Sequence, residues 1–333
     1  MVDDSGINGG AGLIEVSRKR LMVFTGTAHP KLGEEVATAL GVNLGRVDIS
    51  RFSNGEIYVQ FPESVRGVDA FVMQTCAEPV NDSIMEMLLM IDALKRASVR
   101  RITAVMPYYG YSRQDKKTLP REPISAHLVA DVITAAGANR VLSVDLHAGQ
   151  IQGFFDFPVD HVTALPLLTG FIAQKNLPDA VVVSPDAGRV KVANKLSNRL
   201  HVPLAILHKR RPDKNVAEVL HVIGEVKGKT AILIDDMIDT AGTMVEAASA
   251  LKKEGAVEIY ACATHPILSG SAVERIDSSE IRELVVTNSL PVPPDKKIGK
   301  ITVLSIAPLL ANTIMAVFKD ESVSEIVGGD NQP

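Results

Sequence analysis

The stretch AILIDDMIDTAGT, residues 231–243, decides the fold. Its four leading apolar residues predict a buried strand, and Asp235 and Asp236 follow at the carboxyl end of that strand. A small-residue turn then reaches Gly242, and a helix is predicted from residue 243 to residue 254. Such a turn directs backbone N–H groups and the positive end of the helix at one point, which is the geometry of a phosphate site. The carboxylates there can hold sugar hydroxyls or a Mg²⁺ ion that carries further phosphates.

The same alternation of strand and helix runs outward from this stretch in both directions. Before it, strands are predicted at 21–24, 70–74, 102–106, 140–145, 180–183 and 204–207, and helices at 30–40, 81–97, 124–136 and 190–200. After it, strands are predicted at 259–263, 284–286 and 301–306, with a last helix at 308–318. Asn81 or Asp82 is the expected N-cap of the helix at 81–97. Because the strand runs are continuously apolar, we expect strands covered on both faces, in an α/β fold of two doubly wound, mainly parallel sheets.

The chain length suggests two domains. A chain of 333 residues is too long for one ordinary domain. We expect a disordered tail at 1–18, an N-terminal domain at 19–160, a C-terminal domain at 161–327 and a short tail at 328–333. The last strand and helix can close either domain. Ligands of open α/β sheets bind outside the carboxyl ends of the strands, so the residues that follow strands are the candidates for function.

Composition and charge limit the class of protein. Hydrophobic residues make up 46% of the chain and charged residues 22%, which is typical of a globular protein. The net charge of -4 gives no support for a nucleic-acid partner or an acidic membrane surface. We find no run of roughly 20 apolar residues and no signal peptide, and therefore expect no membrane span and a cytoplasmic location. Cys76 and Cys262 are expected to be buried thiols in a reducing compartment.

Six motifs occur in order along the chain. They are RFSNGE at 51–56, YYGYSRQD at 108–115, VDLH at 144–147, VSPD at 183–186, KRRP at 209–212 and the loop at 235–243. Together they resemble the ribose-phosphate diphosphokinases (phosphoribosyl diphosphate synthetases) of the phosphate-activated class. The resemblance implies two domains of phosphoribosyltransferase type. It also implies an enzyme that transfers the diphosphoryl group of ATP to the anomeric hydroxyl of ribose 5-phosphate, giving 5-phosphoribosyl 1-diphosphate and AMP for nucleotide biosynthesis.

The resemblance assigns roles to particular residues. Those implied to bind ATP are Phe52, Asn54, Gly55, Glu56, Arg113, Gln114 and Asp115. Those implied to bind Mg²⁺, together with waters and substrate oxygens, are His147 and Asp186. The implied catalytic cations, which neutralise charge on the phosphates in the transition state, are Lys209 and Arg211. Those implied to bind ribose 5-phosphate are Arg211, Asp235, Asp236, Asp239, Thr240, Ala241, Gly242 and Thr243.

The resemblance also implies assembly and regulation. In the family the adenine pocket is lent by a neighbouring subunit, so we expect an obligate oligomer, with a homohexamer as the specific prediction. Inorganic phosphate is the implied activator and ADP the implied inhibitor, at a site between subunits. The candidates for that site are Ser53, Ser112, Arg113 and Ser305.

Two positions depart from the family pattern, and two segments stay open in interpretation. Asn54 stands where many members carry Asp, and its amide can still hydrogen-bond adenine. Arg189 stands where many members carry Gly, and it adds a cation near Asp186 that either alters phosphate contacts or points away from the site. The segments 108–123 and 209–217 are polar and lie beside strand ends, so each is an active-site lid or a plain solvated loop.

Two other functions share parts of this pattern. A nucleobase phosphoribosyltransferase carries the same loop at 235–243, but it lacks a preceding domain with an ATP-type motif. A catalytically silent regulatory subunit resembles the whole chain, but it is expected to have lost His147, Lys209 or the loop carboxylates. All of these residues are present.

Overall fold

The computed structural model describes residues 19–210 and 219–326, with the backbone alone at residues 209, 210, 219 and 220. The tails predicted at 1–18 and 328–333 lie outside the described residues, as do Arg211 and the side chain of Lys209. No helix within the described ranges is long and apolar enough to cross a bilayer.

The described elements alternate between strand and helix as predicted. The first part of the chain forms β1 (Leu21–Thr25), α1 (Pro30–Leu40), β2 (Asp48–Arg51), β3 (Ile57–Gln60), β4 (Asp69–Met73), α2 (Val80–Arg96), β5 (Arg101–Met106), α3 (Ser125–Ala136), β6 (Arg140–Val144) and β7 (Val159–Val162). The second part forms α4 (Leu165–Gln174), β8 (Ala180–Ser184), α5 (Val190–Leu200), β9 (Leu204–Arg210), β10 (Val219–Ile223), β11 (Thr230–Ile238), α6 (Gly242–Lys253), β12 (Glu258–Pro266), α7 (Ala272–Asp277), β13 (Glu283–Thr287), β14 (Ile301–Leu304) and α8 (Ala307–Lys319).

Two separate sheets carry most of the strands. The first has the order β1-β4-β5-β6-β7 and is parallel throughout. The second has the order β10-β9-β8-β11-β12-β13-β14, and in it only β10 runs antiparallel to its neighbour among the described pairings. In the second sheet the strand order reverses between β8 and β11, as in a doubly wound fold, whereas the strands of the first sheet follow one another in chain order. The predicted fold class is confirmed.

Both sheets are covered on both faces, which explains the continuous apolar runs. In the first sheet, Val72 faces α2 and α3, whereas its neighbour Phe71 faces α1 and α8, and both side chains are fully buried. In the second sheet, Val183 faces α6 and α7, whereas Val182 faces α4 and α5. Successive side chains of a strand point to opposite faces, so each position of a doubly covered strand must be apolar.

The chain crosses between the two sheets more than once. The first sheet continues to Val162, two residues beyond the predicted end of the N-terminal domain, because β7 pairs with β6. Near the end of the chain, β14 pairs with β13 in the second sheet, whereas α8 packs on the first sheet against α1. The last strand and the last helix therefore close different halves of the molecule.

A small hairpin stands apart from both sheets. Its strands β2 and β3 pair with each other in an antiparallel register, from Asp48 opposite Gln60 to Arg51 opposite Ile57. One side of the hairpin packs on the first core beside α2, and Arg51 forms an ion pair with Asp82 at 2.9 Å. The motif at 51–56 forms the turn of this hairpin.

The predicted N-cap of α2 is wrong. The helix begins at Val80, Pro79 holds the cap position, and no side chain there accepts a hydrogen bond from the helix. Asp82 lies within the first turn instead, where its negative charge stabilises the positive end of the helix.

Both cysteines are buried and free, as predicted. Burial raises the pKa of each thiol to about 12, so both stay protonated at neutral pH. Inert thiols of this kind act as small apolar side chains of the core.

Candidate functional site

The loop predicted to bind phosphate lies at the carboxyl end of the second sheet. β11 continues to Ile238, because it stays paired with β12 as far as Pro266. Asp235 and Asp236 are therefore part of the strand, and the turn proper is Asp239–Ala241. The helix begins at Gly242, one residue before the predicted start.

The turn has an unusual backbone that its neighbours hold in place. Ala241 has φ 61°, in the left-handed region that disfavours residues with a Cβ by roughly 1–2 kcal/mol. Arg275 donates a hydrogen bond to the carbonyl of Thr240 at 3.1 Å, and the N–H of Ser269 donates to the carbonyl of Asp239 at 3.0 Å. The turn leaves the side chains of Thr240 and Thr243 exposed at the start of α6.

One cavity of about 250 Å³ gathers the residues predicted from several motifs. It is lined by the whole loop from Asp235 to Thr243, by His147 after β6 and by Asp186 after β8. Arg113, from the segment after β5 in the first sheet, lines the same cavity. Residues separated by more than 100 positions meet there because the carboxyl ends of the two sheets face each other.

A direct ion pair joins the two sides of this cavity. Arg113 donates from a terminal guanidinium nitrogen to Oδ2 of Asp239 at 2.6 Å, and the hydroxyl of Ser269 donates to the other oxygen. Burial by itself would raise the pKa of Asp239, but the hydrogen bonds from Ser269 and Arg113 hold it below its usual value. Asp239 is therefore an ionised acceptor that faces the cavity.

Arg189 lies at the centre of a second charged group. Its guanidinium contacts Oδ1 of Asp235 at 3.0 Å, Oδ1 of Asp236 at 2.7 Å and Nδ1 of His147 at 2.8 Å. The side chain of Arg189 is 13% exposed. Its backbone N–H donates to Oδ1 of Asp186 at 3.1 Å, so the residue contacts four predicted site residues at once.

The two adjacent carboxylates have different electrostatic environments. Burial and the neighbouring charge of Asp236 raise the pKa of Asp235 well above its usual value, and Arg189 offsets only part of this. Burial would also raise the pKa of Asp236, but the hydrogen bond with His147 and the charge of Arg189 hold it far below its usual range. Asp236 is therefore the permanent anion of the pair.

The imidazole of His147 has two possible partners at one nitrogen. Nδ1 lies 2.7 Å from Oδ2 of Asp236 and 2.8 Å from a guanidinium nitrogen of Arg189. When Nδ1 carries the proton, it donates to Asp236 and leaves Nε2 with a free lone pair. When Nδ1 accepts from Arg189, the proton is on Nε2. The tautomer of His147 therefore determines which of its two neighbours it bonds.

The residues present fit a magnesium site with few protein ligands better than a metal site enclosed by protein side chains. Within residues 19–210 and 219–326, no group of three or more His, Cys, Asp or Glu side chains is arranged to hold a metal. Mg²⁺ keeps several waters and is commonly held by one or two carboxylates plus substrate phosphates. Asp186 lines the cavity, and His147 can present Nε2 when Nδ1 donates to Asp236.

Comparison with known proteins identifies the family. A model of the N-terminal domain of ribose phosphate pyrophosphokinase matches residues 21–137, and a model of the phosphoribosyl synthetase-associated domain matches residues 213–327. The ribose-phosphate pyrophosphokinase of Oceanobacillus iheyensis is 57% identical over 91% of this chain and 96% of its own length. That of Bacillus subtilis is 54% identical over 92% and 96%. The chain belongs to the ribose-phosphate pyrophosphokinase family.

A solved structure of the family has the same fold. The crystal structure of phosphoribosylpyrophosphate synthetase from Mycobacterium smegmatis superposes with a TM-score of 0.87, at 54% identity, over 91% of this chain and 100% of that one. The family and the enzyme class predicted from the sequence are confirmed.

Several residues that the resemblance assigns to ATP lie away from the 250 Å³ cavity. The turn of the hairpin carries Phe52, which is 56% exposed and contacts Tyr58 edge-on at 5.9 Å between ring centroids. The side chain of Asn54 accepts a hydrogen bond from the backbone of Glu56 at 3.2 Å. Gly55, with φ 92°, completes the turn. The assignment of these residues to ATP stays a prediction.

Gln114 and Asp115 have partners within the first half of the chain. Gln114 accepts a hydrogen bond from the hydroxyl of Ser125 at 2.5 Å and lines a larger neighbouring cavity of about 650 Å³ together with Arg113. Asp115 is buried and accepts from Gln150. Of these two residues, Gln114 is thus the one that borders a cavity.

The predicted regulatory residues lie in different parts of the fold. Ser53 is on the hairpin turn, Ser112 lies in the segment after β5, and Ser305 follows β14. Ser112 is buried and lines the 650 Å³ cavity. Ser305 donates to Glu35 of α1 at 2.6 Å, which links the end of the second sheet to the first half of the chain.

A buried polar network between the sheets was not predicted. Asp145 accepts hydrogen bonds from the hydroxyl of Thr264 at 2.6 Å and from the backbone of Ala164 at 2.9 Å. His265 lies 3.0 Å from the carbonyl of Val144 and 2.9 Å from the hydroxyl of Ser289. We call Asp145, Thr264, His265 and Ser289 the inter-sheet clasp. Thr264 and His265 directly follow the predicted strand 259–263, which is a signal that could have revealed them.

Proposed function

We propose that the space between the facing sheet ends is where the diphosphoryl group of ATP is transferred to the anomeric hydroxyl of ribose 5-phosphate. One observation carries the proposal. The sugar-phosphate loop of the second sheet and Arg113 of the first sheet border one cavity and are joined by the ion pair between Arg113 and Asp239. Family membership supports the reaction itself, in which 5-phosphoribosyl 1-diphosphate and AMP are formed.

The loop supplies what a sugar phosphate requires. The N-terminus of α6 offers backbone N–H groups and a positive dipole end to the 5-phosphate, and Thr240 and Thr243 add exposed hydroxyls. Asp239, which is held ionised by Arg113 and Ser269, can accept hydrogen bonds from the ribose hydroxyls. The sugar would then be oriented by the turn while its anomeric oxygen faces the side of Arg113.

We propose that the hairpin supplies adenine-binding side chains to the active site of a neighbouring subunit. Phe52 and Tyr58 are both large aromatic side chains, and both are exposed in the single chain. An aromatic face stacks on a purine, and polar groups such as Asn54 and Glu56 can bond its edge. Two exposed rings on a protruding turn support the prediction that the active form is an oligomer, and we propose a homohexamer.

Mg²⁺ is the proposed metal, and His147 and Asp186 are the residues that would hold it. A magnesium ion held there would offset the negative charge of the ATP phosphates. Within the protein, Asp236 orients the imidazole of His147, and Arg189 orients Asp186 through its backbone N–H. Asp236 and Arg189 thus keep the side chains of His147 and Asp186 directed at the cavity.

Lys209 and Arg211 are the proposed catalytic cations. Their side chains lie outside the described residues, and the proposal is supported by the position of Lys209 at the end of β9, where it pairs with Leu220 of β10. A cation beside the transferring phosphates stabilises the transition state most where negative charge develops. Lys209→Ala is therefore expected to lower kcat at least ~100-fold. Turnover close to normal would remove Lys209 from this role.

Regulation by inorganic phosphate and ADP is proposed from the resemblance. Ser53, Ser112, Arg113 and Ser305 are the candidate residues, and contacts between subunits would have to bring them together. A cytoplasmic location is proposed as well, and the two buried thiols support it because they suit a reducing compartment.

A nucleotide product assay tests the proposal. ATP is supplied with and without ribose 5-phosphate, Mg²⁺ and inorganic phosphate, and the nucleotide products are separated by chromatography. We expect AMP only when ribose 5-phosphate and Mg²⁺ are both present, at a higher rate with phosphate. Release of ADP would mean monophosphoryl transfer, and no product at all would favour a silent regulatory subunit.

A further inference from the structure

We infer that Arg189 is a built-in cation that occupies the junction of the metal residues and the sugar-phosphate loop, and that it weakens the binding of divalent cations by the free protein. The inference rests on the proposed metal site at His147 and Asp186. In that proposal only the backbone N–H of Arg189 has a role, as a donor to Asp186, whereas the inference concerns the guanidinium of Arg189.

The contacts of Arg189 support this role directly. A single guanidinium meets two buried carboxylates, those of Asp235 and Asp236, at 3.0 and 2.7 Å. Both carboxylates border the cavity that also contains the candidate metal residues. A divalent cation that approaches these residues therefore meets a positive charge already paired with the nearest anions. Two like charges a few ångströms apart in a partly buried site repel strongly.

Arg189 also acts on the histidine itself. Its contact with Nδ1 of His147 is possible as a hydrogen bond only when that nitrogen has no proton. The proton is then on Nε2, where it prevents coordination of a metal by that nitrogen. Asp236 favours the opposite tautomer, in which Nε2 is free. Arg189 thus opposes metal binding both through its charge and through the tautomer of His147.

The arrangement predicts an order of events. In the free protein the guanidinium stays on the carboxylates. A substrate phosphate is an alternative partner for the same guanidinium, because arginine binds carboxylate and phosphate with the same two-pronged geometry. Withdrawal of Arg189 by a phosphate would release Asp235, Asp236 and His147 together. The protein would then bind its divalent cation tightly only once a phosphate-bearing substrate is present.

The test measures metal binding rather than turnover. Mn²⁺ is the probe, and its binding to the full-length protein without nucleotide is followed by the electron paramagnetic resonance signal of free Mn²⁺ at pH 8. Arg189→Gln is expected to bind Mn²⁺ at least ~10-fold more tightly than the wild type, because one unit charge a few ångströms away is removed. Arg189→Lys keeps the charge and should stay close to the wild type. Arg66→Gln removes an exposed arginine outside the cavity and is the matched control.

Further variants keep the test decisive. Adding His147→Ala to Arg189→Gln should abolish the gain in affinity. Arg189→Gln leaves two carboxylates without their partner and can therefore fail to fold. In that case the double variant Asp235→Asn/Arg189→Gln is compared with Asp235→Asn alone. The double variant is expected to show the same gain in Mn²⁺ affinity. Equal or weaker Mn²⁺ binding without Arg189 overturns the inference. If wild-type binding depends on His147 but not on Arg189, only the inference fails; if no form binds Mn²⁺, the proposed metal site fails with it.

Discussion

The carboxylate of Asp236 shows how much of the chemistry of the site depends on one residue. It is 7% exposed and lies against both His147 and Arg189. Its hydrogen bond with Nδ1 of His147 favours the tautomer in which Nε2 can face a metal. The resemblance assigned Asp236 to the sugar phosphate. The geometry adds a second task, the orientation of the imidazole.

Neutralising Asp236 should therefore affect metal use. We expect Asp236→Asn to lower the rate of AMP formation by about 10–100-fold and to raise the Mg²⁺ concentration that is needed, since removing a partner of a metal-binding histidine has effects of that size. The rate is measured over a series of Mg²⁺ concentrations. Asp277→Asn, at an exposed carboxylate on α7, is the control and should behave as the wild type. An unchanged Mg²⁺ requirement would contradict this role of Asp236.

The ion pair between Arg113 and Asp239 should matter for activity more than for stability. The side chain of Arg113 is 52% exposed and that of Asp239 is 23% exposed, so the pair is largely screened by solvent. We expect Arg113→Gln to lower the free energy of unfolding by less than about 1 kcal/mol. The same variant should reduce kcat/KM for ATP at least ~10-fold, because it loses a charge next to the transferred phosphates. Urea unfolding and steady-state kinetics are measured on one preparation, and a large loss of stability with normal kinetics would refute the expectation.

The site residues that lie at the ends of strands could be predicted from the sequence. His147, Asp186 and the loop at 235–243 each follow or end a predicted strand, and they border one cavity because those strand ends meet. The contacts of Arg189 were not predictable. Its position in the chain indicated only that it lies near Asp186, whereas the direction of a long side chain depends on neighbours from β6 and β11.

Among the described elements, the hairpin of β2 and β3 has an aromatic surface that lacks an explanation within a single chain. Phe52 and Tyr58 are exposed beside each other, although large aromatic side chains are usually buried. The strand pairing fixes the turn firmly, with the backbone of Phe52 donating to the carbonyl of Glu56 at 2.9 Å. A rigid, exposed aromatic turn is suited to enter a site on another subunit.

Removal of the ring should weaken ATP binding selectively. We expect Phe52→Ala to raise the KM for ATP at least about fivefold, because base–aromatic stacking is worth roughly 1–3 kcal/mol per base. The KM for ribose 5-phosphate should change little, since the loop at 235–243 is untouched. Steady-state kinetics with each substrate varied give the two constants. Val257→Ala, at another exposed apolar side chain, should leave both KM values unchanged.

Mixing two impaired variants tests whether the hairpin acts across subunits. Phe52→Ala carries an intact His147, and His147→Ala carries an intact hairpin. If one site takes its hairpin from a neighbour, co-expression forms some sites in which both parts are intact. At an ATP concentration below the KM of Phe52→Ala, the co-expressed protein should then be more active than the same amounts of the two variants prepared separately. A mixture no more active than the separate variants would place the hairpin in the site of its own chain, or outside the site.

Long, periodic or continuously apolar elements could be predicted from the sequence, and short or atypical ones could not. The central strands of the two sheets and helices such as α1 lie close to their predicted bounds, whereas the edge strands β7 and β10 and the short helix α7 were not predicted. The strands β2 and β3 were missed because each has only four residues and half of their side chains are exposed. The helix α4 was missed because it is apolar on nearly every side, so its pattern has no period of 3.6.

At the scale of the whole molecule, the inter-sheet clasp joins the two halves through polar groups, of which Thr264, His265 and Ser289 are buried and Asp145 is partly buried. Burial lowers the pKa of His265, and the nearby carboxylates of Asp145 and Asp236 offset this only in part. The imidazole is therefore neutral in the folded protein. An unfolded chain, in which a histidine has its ordinary pKa of about 6.5, takes up a proton more readily.

Stability should consequently depend on pH through His265. Because the unfolded state binds more protons, the free energy of unfolding should fall as the pH is lowered through about 6.5 towards the depressed pKa of the folded state. His265→Gln removes this titration, so the fall should be shallower, although the variant is less stable at every pH. Urea unfolding at several pH values between about 7.5 and 5 gives the slopes. His201→Gln, at an exposed histidine, should keep the wild-type slope; parallel curves for the wild type and His265→Gln would exclude His265 as the cause.

The position of α8 has a consequence for how the protein is made. The helix packs with α1 on one face of the first sheet, over side chains such as Val23 and Phe71. These residues leave the ribosome early, but the helix that covers them is translated last. At roughly 5–20 residues per second, the interval between Phe71 and the end of α8 is on the order of tens of seconds. During synthesis, one apolar face of the first sheet therefore stays exposed until α8 has been made. A nascent chain that stops before residue 307 should be a target for chaperones that bind exposed apolar surface.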